Sequence, residues 1–400
     1  MQVIIFGGSG HLAMSKLVPA LYNLNCNVHI ILYGRSDLKT TYKNKLLQFY
    51  SHYTATFLNN ITYIQGEYDN LINLKSLSTD NTILYIALPP QIYPVILTSI
   101  ETIKYSKIGL EKPYGINLNN YKTLKITDKI ILIDHYLAKN ISLAYPLLKQ
   151  KNLKLYNFLN KNNITSIKCY FCETSIIKNN NSFKSIGIIK DVMENHLIQM
   201  LAIILSNPEE TNLSIGRRHL INNMEIDSTT LNLKQYKNFD IHHNFKETYA
   251  SFQLKIKNDL WSNIPCSFIA GKGLKTKQNR IIFNININKA FEIIRNTKFQ
   301  IENIKSISLI FSFDESSIYY EIQTDVITNI YIYSKDEILK IIDTHFYSKS
   351  DYEYIFYCML HNKLINMPTK AEAFDIWKLF DNIIDKCSMY EYYEICSDPF

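Results

Sequence analysis

A glycine-rich turn at the start of the chain constrains the fold more than any other stretch. The apolar run Val3-Ile4-Ile5-Phe6 leads directly into Gly7-Gly8-Ser9-Gly10-His11-Leu12-Ala13. Glycines here let a pyrophosphate approach the backbone, and the free N–H groups of a following helix attract its negative charge. Such a turn alone is a weak signal. This one lies between a strand and an apolar helix, which favours a dinucleotide-binding domain.

The residue after the second predicted strand indicates which dinucleotide. That strand, Val28 to Tyr33, ends in Gly34-Arg35-Ser36, and no acidic residue follows before Asp37. An NAD-binding domain places an acid near this position for the ribose hydroxyls. A guanidinium group instead holds a 2′-phosphate in a fork of hydrogen bonds and stacks on adenine. Arg35 therefore favours NADP over NAD, with an ordinary surface arginine as the alternative.

Strands and helices alternate through the first third of the chain. Further strands are predicted at 61–65, at 82–88 and just before Glu111-Lys112-Pro113. A Lys-Pro bond can be cis and would fix Lys112 towards a cleft. The alternation predicts a doubly wound, mostly parallel sheet of Rossmann type over residues 1–138.

The last strand of that domain ends in a cluster of reactive side chains. Apolar residues at 130–133 predict a buried strand, which is followed by Asp134, His135, Tyr136 and Lys139. Ligands bind beyond the carboxyl ends of strands in open α/β sheets, so these four groups stand where chemistry is usual. A strand end capped by solvated polar side chains is the alternative.

A predicted helix at 186–205 is apolar nearly all round and is therefore expected to be buried. It nevertheless carries Asp191, Asn195 and Gln199, which recur at i and i+4 and so line one edge. His196 shares a face with Gln199. Burying such a row costs free energy unless each group has a partner. A functional row is therefore favoured over a satisfied core histidine.

Alternating, β-branched runs dominate from residue 245 onward and predict an antiparallel sheet. These runs lie at 247–257, 264–270, 280–288, 303–313 and 317–333. A polar loop at 178–182 and helices near 350–361 and 370–386 complete the second domain, 139–400. The expected fold class is thus a Rossmann-type α/β domain followed by an α+β domain with a large, mainly antiparallel sheet. Lys272 and Lys277 lie in or next to a glycine-containing turn between two of these runs. They could contact a phosphate or a sugar, or the turn could be an ordinary solvated loop.

Composition limits the partners. The net charge of +7 is modest and the chain has no long basic run, so the charge suits a small anionic ligand as well as nucleic acid and does not decide between them. The longest apolar run, Met200 to Leu205, is too short to cross a bilayer. Because a strand is predicted from Gln2 onward, no targeting peptide is expected. Cys169 and Cys172 form a lone C-x-x-C without a second pair, which argues against zinc. A cytoplasmic protein with reduced thiols is expected.

Taken together, these stretches resemble the glucose-6-phosphate dehydrogenase family over nearly the whole chain. The matching motifs, in the family's order, are GGSGHLAMSKLVPALYNL from Gly7, YGRS at 33–36, YIALPP at 85–90, EKPYG at 111–115, IDHYLAKN at 133–140, KDVMENHLIQM at 190–200 and WSNIPCSFIAGKGL at 261–274. The motifs around His135 and His196 are highly specific to this family.

The resemblance implies roles for individual residues. His196 is implied as the base that takes the proton of the anomeric hydroxyl while hydride leaves carbon 1, with Asp134 as its carboxylate partner. The implied contacts with glucose 6-phosphate are His135, Tyr136 and Lys139 for the phosphate, and Lys112, Glu173, Asp191, Lys272 and Lys277 for the rest. The implied contacts with NADP are Gly7, Gly8, Ser9, Gly10, His11, Leu12, Arg35 and Lys112. No metal is implied.

The implied reaction yields 6-phospho-D-glucono-1,5-lactone and NADPH, the opening step of the oxidative pentose phosphate pathway. The implied assembly is a homodimer or homotetramer through the C-terminal sheet, without nucleic acid or membrane. Two departures from the family pattern are His11, where an aspartate is usual, and 309–322, which lacks the basic residues of a second, structural NADP site. The alternatives are a Rossmann oxidoreductase of free sugars and a catalytically silent NADP-binding redox sensor. The sensor should have lost either Asp134 or His196, and both are present.

Overall fold

The structure is a computed structural model that describes residues 1–177, 181–207, 210, 212–237, 246–289, 303–345, 350–363, 366–384 and 391–398. The chain forms two compact units: Met1–Ala138 with Phe346–Phe374, and Lys139–His345 with Asp375–Phe400. The segment Phe346–Phe374, which the sequence pattern assigns to the second domain, thus belongs to the first unit.

Six parallel strands form the sheet of the first unit. They are β1 (Gln2–Phe6), β2 (His29–Gly34), β3 (Ile61–Gln65), β4 (Thr82–Ile86), β5 (Lys107–Glu111) and β6 (Ile130–Ile133). Their order is β3-β2-β1-β4-β5-β6, and every neighbouring pair is parallel. This is the strand order of a doubly wound dinucleotide-binding sheet. The predicted Rossmann-type domain is confirmed.

The central strands are covered on both faces, which explains their unbroken apolar sequences. Ile4, Ile5 and Phe6 of β1 are fully buried, as are Leu84 and Ile86 of β4. The helices of this unit are Ala13–Leu17 (a π-helix), Val18–Asn23, Tyr42–Phe49, Ala55–Asn59, Ile72–Lys75, Tyr93–Ser99, Leu118–Thr123 and Asp351–Leu360, with short 3₁₀ turns at Pro90–Ile92, Ile100–Thr102 and His135–Ala138.

Nine strands form the sheet of the second unit. They are β7 (Ile164–Cys172), β8 (Met224–Tyr236), β9 (Tyr249–Ile256), β10 (Cys266–Gly271), β11 (Gln278–Ile285), β12 (Ser306–Ser312), β13 (Ser317–Gln323), β14 (Ile327–Tyr333) and β15 (Glu391–Tyr393). Their order is β14-β13-β12-β11-β7-β10-β9-β8-β15. The β7–β10 and β8–β15 pairs are parallel and the other neighbours antiparallel. The predicted large, mainly antiparallel sheet is confirmed.

Several details of this sheet differ from the sequence prediction, which gave no strand at β15. The run at 317–333 is two strands, β13 and β14, which pair as a hairpin. The long strand β8 was not predicted, because its pairing with β9 shifts between Asp227 and Asn232. The shift moves its apolar residues from even to odd positions, and a bulge of this kind hides the alternation that identifies a strand.

The helices of the second unit lie at Asn140–Lys151, Leu153–Phe158, Asn181–Ile188, Ile189–Leu197 (a π-helix), Ile198–Leu205, Leu213–Ile221 and Lys335–His345, and Lys370–Phe380 spans the boundary in sequence. The helix predicted at 186–205 is observed as the π-helix Ile189–Leu197 followed by the α-helix Ile198–Leu205, and a kink at Gly187 (φ +76°) separates it from the short helix before it. Of the predicted loop at 178–182, residues 178–180 lie outside the described residues, as do 385 and 386 of the predicted last helix. None of the described helices is long and apolar enough to span a membrane.

Candidate active site

The glycine-rich turn after β1 is held tightly against its neighbouring strands. The amides of Gly7 and Gly8 both donate to the carbonyl oxygen of Tyr33 at 3.0 Å. Gly7 has φ +80°, and a Cβ there would lie 2.3 Å from the oxygen of Ala87. A side chain is therefore excluded at this position. Helical hydrogen bonding begins within the turn, because the amide of Met14 donates to the carbonyl of Gly10 at 3.1 Å.

Arg35 lies beside this turn because β1 and β2 are parallel neighbours that end together. Its exposed guanidinium carbon stands 5.5 Å from the centre of the Tyr68 ring. The hydroxyl of Ser36 donates to that of Ser9 at 3.4 Å, and the ammonium of Lys45 donates to the carbonyl of Ser9 at 3.2 Å. Cationic and hydroxyl groups thus meet at the end of the turn. This donor set fits an anionic group, as the 2′-phosphate of NADP would supply.

The end of β5 carries a buried carboxyl group beside the predicted Lys112. The hydroxyl of Tyr85 donates to Glu111 Oε1 at 2.6 Å, and Tyr352 also bonds to this carboxyl. Burial raises the pKa of Glu111 to about 7, even though these hydrogen bonds and the charge of Lys112 lower it. The Lys112–Pro113 peptide bond is cis, as the sequence indicated it could be. Glu111 thus titrates in the physiological range at the base of this strand end.

The end of β6 is an ordered turn around Asp134. Oδ1 of Asp134 accepts from the amide of Tyr136 at 3.0 Å, and its carbonyl accepts from Leu137 at 3.0 Å. The ring of His135 stacks on Tyr352 with centroids 5.4 Å apart and an interplanar angle of 17°. Tyr352 therefore contacts both the predicted phosphate ligand His135 and Glu111.

In the second unit, parallel pairing brings Glu173 and Lys272 to one sheet edge. β7 and β10 are parallel, with Cys172 opposite Gly271, so the residues that follow them emerge together. The ammonium of Lys272 donates to Oε2 of Glu173 and lies 3.3 Å from Oδ2 of Asp191. These three predicted site residues form one cluster.

The charge of Lys272 is stabilised although its side chain is largely buried. Burial by itself lowers the pKa of this lysine, but the nearby carboxylates of Asp191 and Glu173 more than offset it, and the pKa is raised. The ammonium also stands 5.3 Å from the centre of the Phe183 ring. Lys272 therefore remains a cation at neutral pH and can donate to sugar or phosphate oxygens.

His196 lies on the π-helix Ile189–Leu197, which packs against β7 and β10. Its ring is stacked against Phe171 of β7, with centroids 6.0 Å apart. A π-helix bonds each residue to one five positions away, whereas the sequence prediction assumed the tighter α-helical spacing. Oδ2 of Asp191, near the start of this helix, pairs with Lys272, and the side-chain amide of Asn195 donates to the carbonyl of Lys190, five positions earlier, at 2.8 Å.

The buried residue Glu247, which precedes β9, fixes the start of this π-helix. Oε1 of Glu247 accepts from the amide of Ile189 at 3.1 Å, and its carbonyl accepts from Ile188 at 3.0 Å. Gly187 has φ +76°, and a Cβ there would lie 2.4 Å from the Glu247 carboxyl. Burial raises the pKa of Glu247 to about 7, against the backbone hydrogen bonds that lower it.

Lys277 and Lys139 are two further predicted contacts of the second unit. Lys277 is exposed, and its ammonium pairs with Asp314 at 3.0 Å. Lys139 precedes the helix Asn140–Lys151, where its carbonyl accepts from the amide of Leu143 at 3.0 Å.

The sequence analysis missed several residues that bond to or stack on the predicted site residues or the elements that carry them. They are Tyr85, Glu111, Glu247, Tyr352 and Tyr393, the last of which donates to the carbonyl of Lys272. Glu111 directly precedes Lys112, so the Glu-Lys-Pro motif could have identified it. The other four residues contact partners that are distant in sequence, and no local motif indicates those contacts.

Comparison with known proteins agrees with this architecture. The family model for the NAD-binding domain of glucose-6-phosphate dehydrogenase matches residues 4–142. The model for its C-terminal domain matches residues 146–215 and 223–399.

Individual relatives give the same result. The glucose-6-phosphate 1-dehydrogenase of Encephalitozoon cuniculi is 28% identical and covers 98% of this chain and 95% of its own. A cytoplasmic isoform from Solanum tuberosum is 28% identical over 70% of this chain and 66% of its own. A solved glucose-6-phosphate dehydrogenase in complex with its substrate glucose-6-phosphate has a TM-score of 0.78 and 22% identity, covering 100% of this chain and 95% of that one.

The parallel sheet with its glycine-rich turn and the large second sheet define a two-domain oxidoreductase of the Rossmann class that binds a nicotinamide cofactor. Within that class, the two family models cover nearly the whole chain. The chain belongs to the glucose-6-phosphate dehydrogenase family.

The buried carboxyl group of Glu194 should make the stability of the protein depend on pH. Glu194 precedes His196 by two residues, is 6% exposed, and its Oε2 accepts no hydrogen bond from any residue in the described ranges. Burial raises its pKa well above 4.5, against the charge of Lys190, which lowers it. The folded state therefore binds more protons than the unfolded state above that pH, and stability falls as pH rises through the folded pKa.

We expect Glu194→Gln to remove this pH dependence, because the amide resembles the protonated acid and cannot ionise. Urea unfolding across a pH series should show the variant gaining stability over the parent as pH rises, with little difference in acid. Glu315→Gln, at an exposed position, is the matched control. An equal gain at every pH would contradict a protonated Glu194.

Proposed function

We propose that the protein oxidises glucose 6-phosphate at carbon 1 and reduces NADP, releasing 6-phospho-D-glucono-1,5-lactone. The observation that carries this proposal is the Lys272 cluster. A lysine held between Glu173 and Asp191, on the unit that carries His196, offers a cation and two acceptors to a polyhydroxyl substrate. Family membership supports the same substrate.

His196 is the proposed general base. A neutral imidazole accepts the proton of the anomeric hydroxyl, which lets the electron pair on that oxygen form the lactone carbonyl as the C–H bond breaks. The Phe171 ring restricts the orientation of the imidazole by stacking. Asp134 is the proposed carboxylate partner, which would stabilise the imidazolium after proton transfer.

The substrate phosphate is assigned to His135, Tyr136 and Lys139. An ammonium, an imidazole and a phenol hydroxyl together supply charge-assisted hydrogen bonds, which are about twice as strong as neutral ones. The stacking of His135 on Tyr352 supports this role by limiting the ring's motion. Binding energy from this remote group also positions carbon 1 for reaction. Glu173, Asp191 and Lys272 are assigned to the sugar hydroxyls, and Lys277 to an outer basic contact.

The proposed cofactor is NADP. The turn residues Gly7, Gly8, Ser9, Gly10, His11 and Leu12 would hold its pyrophosphate, Arg35 its 2′-phosphate, and Lys112 would lie by its nicotinamide. When bound, the nicotinamide ring supplies the hydride acceptor. The donor set around Arg35 and Ser9 supports a phosphorylated ribose over the bare ribose of NAD.

The alternative activities make different demands on the site. A dehydrogenase of free sugars needs no phosphate ligand, and a redox sensor needs no base. The deciding experiment follows NADP reduction by absorbance with glucose 6-phosphate and with glucose. We expect a far larger kcat/KM for the phosphorylated sugar. Equal values would favour a free-sugar enzyme, and no turnover with either sugar would favour a sensor.

Replacing the proposed base should affect the chemical step more than binding. We expect His196→Asn to lower kcat by about 10²–10⁴-fold, because proton transfer loses its acceptor, while the Kd for glucose 6-phosphate changes little. Steady-state kinetics and calorimetric titration measure the two quantities. His219→Asn, an exposed histidine of the same unit, should leave both unchanged. A His196 variant with the parent's kcat would remove this residue from the mechanism.

Replacing Arg35 should separate the two nicotinamide cofactors. Arg35→Ala loses charge-assisted hydrogen bonds to the 2′-phosphate, so KM for NADP should rise by roughly 10–100-fold while KM for NAD stays nearly constant. Both are read from initial rates. Lys39→Ala, an exposed cation nearby in sequence, is the control. An equal change with both cofactors would assign Arg35 a structural role.

We also propose a cytoplasmic homo-oligomer that associates through the second sheet. The β14 edge exposes Val326 (66%), Ile327 (61%) and Tyr331 (52%), and an exposed apolar edge strand favours pairing. Sedimentation velocity should show a dimer or tetramer that Ile327→Lys weakens. Ile72→Lys, an exposed isoleucine of the first unit, should not. A monomeric parent protein would exclude this assembly, and fluorescence microscopy of the tagged protein in its cell tests the compartment.

A further inference from the structure

The C-terminal strand β15 joins the sheet next to the turn that carries Lys272. It pairs in parallel with the end of β8, with Tyr393 opposite Tyr236. The amide of Lys237 donates to the carbonyl of Tyr393 at 2.8 Å, which continues this pairing. Ion pairs of Lys234 with Glu391 and of Lys237 with Glu394 flank it on the surface. The strand is thus fixed by the backbone of β8.

The hydroxyl of Tyr393 reaches the backbone of Lys272. It donates to the Lys272 carbonyl at 2.6 Å and lies 3.0 Å from the hydroxyl of Thr248. On the other side, the amide of Lys272 donates to the carbonyl of Thr248 at 2.9 Å. Both polar groups of the Lys272 backbone are therefore satisfied by two residues, one from β15 and one that precedes β9.

The residues after β15 hold the other end of the same turn. The amide of Cys396 donates to the carbonyl of Gly273 at 2.7 Å, and the amide of Lys275 donates to Ser397 at 3.2 Å. Leu274 and Ser397 form an isolated parallel bridge. The turn from Lys272 to Lys275 is thereby hydrogen-bonded to the C-terminal segment along its length.

Apolar packing adds to these hydrogen bonds. Tyr393 is 5% exposed, and its ring stands edge-on to Tyr236 at 6.0 Å and to Tyr249 at 6.1 Å. The buried cluster consists of Cys172, Tyr236, Tyr249, Leu274 and Tyr393. Leu274 from the turn and Tyr393 from the C-terminal strand thus share one core.

The turn needs this external support because of its own sequence. Lys272 is flanked by Gly271 and by Gly273, which has φ +63°. Glycines leave the backbone free to adopt many conformations, so the turn does not define the direction of Lys272 by itself. The lysine stem adds several rotatable bonds, and a displaced backbone would carry the ammonium away from Glu173 and Asp191.

We propose that Tyr393 is a positioning residue, whose hydroxyl fixes the backbone of Lys272 and so aims its ammonium at the sugar. The inference rests on the proposed function of Lys272 as a sugar ligand. The C-terminal segment 391–398 is, on this view, a part of the substrate site that never touches the substrate.

The experiment compares Tyr393→Phe with Tyr392→Phe. Both remove one phenol hydroxyl from adjacent residues, but Tyr392 is 63% exposed and serves as the matched control. Losing one buried hydrogen bond should raise KM for glucose 6-phosphate by roughly 2–10-fold in Tyr393→Phe and leave KM for NADP unchanged. Hydrogen exchange of the amides at 272–275, followed by mass spectrometry, should become faster in the same variant only.

A double-mutant cycle with Lys272→Ala separates positioning from general destabilisation. If the hydroxyl acts through Lys272, adding Tyr393→Phe to Lys272→Ala should cause no further rise in KM for the sugar phosphate. An equal rise in both backgrounds, parallel changes in the KM values of both substrates, or unchanged exchange at 272–275 would each overturn the proposal.

Two further readouts keep the test decisive. Thr248→Val removes the second hydroxyl that contacts Tyr393, and should reproduce the faster exchange at 272–275 if Tyr393→Phe yields too little folded protein. Failure of the proposed function has a different signature. Lys272→Ala would then leave KM for glucose 6-phosphate unchanged, while the exchange data would still report whether Tyr393 holds the turn.

Discussion

Parallel strand pairing is the constraint on which the rest of the structure depends. Parallel neighbours end at the same edge, so residues far apart in sequence emerge side by side. In the first sheet this brings together Gly7 after β1 and Arg35 after β2. In the second, mainly antiparallel sheet, the parallel pair β7–β10 does the same for Glu173 and Lys272. The proposed ligands of cofactor and sugar thus follow one rule in both units.

Burial changes the pKa values of the ionisable groups in both units. Glu111, Glu194 and Glu247 are buried, and burial raises the pKa of each carboxyl group, so their negative charge is weakened near neutral pH. Lys272 behaves in the opposite sense, because Asp191 and Glu173 hold its charge. The Lys272 cluster therefore keeps its cation, which can donate charge-assisted hydrogen bonds to sugar oxygens. Glu111, with a pKa of about 7, adds a titrating group beside Lys112.

Local sequence patterns were sufficient for the parallel sheet of the first unit and for much of the second unit, but not for placing Phe346–Phe374 in the first unit. The apolar run 130–133 followed by Asp134 and His135 predicts strand, strand end and cluster together, because all the information is contiguous. β8 escaped prediction because its register shift breaks the alternation. The π-helical winding around His196 and the roles of Tyr352 and Tyr393 depend on packing against distant segments, which no local pattern encodes. The parallel pairing of β7 with β10 could not be predicted either, because the local sequence of a strand does not specify its neighbour in the sheet.

The central claim is that hydride leaves carbon 1 of glucose 6-phosphate for the nicotinamide. The most direct measurement uses glucose 6-phosphate deuterated at carbon 1, with the isolated cofactor product analysed by mass spectrometry and NMR. The account predicts that the reduced cofactor carries the deuterium on its nicotinamide ring and that the lactone carries none. Reduced cofactor without deuterium, or deuterium retained on the sugar, would contradict it.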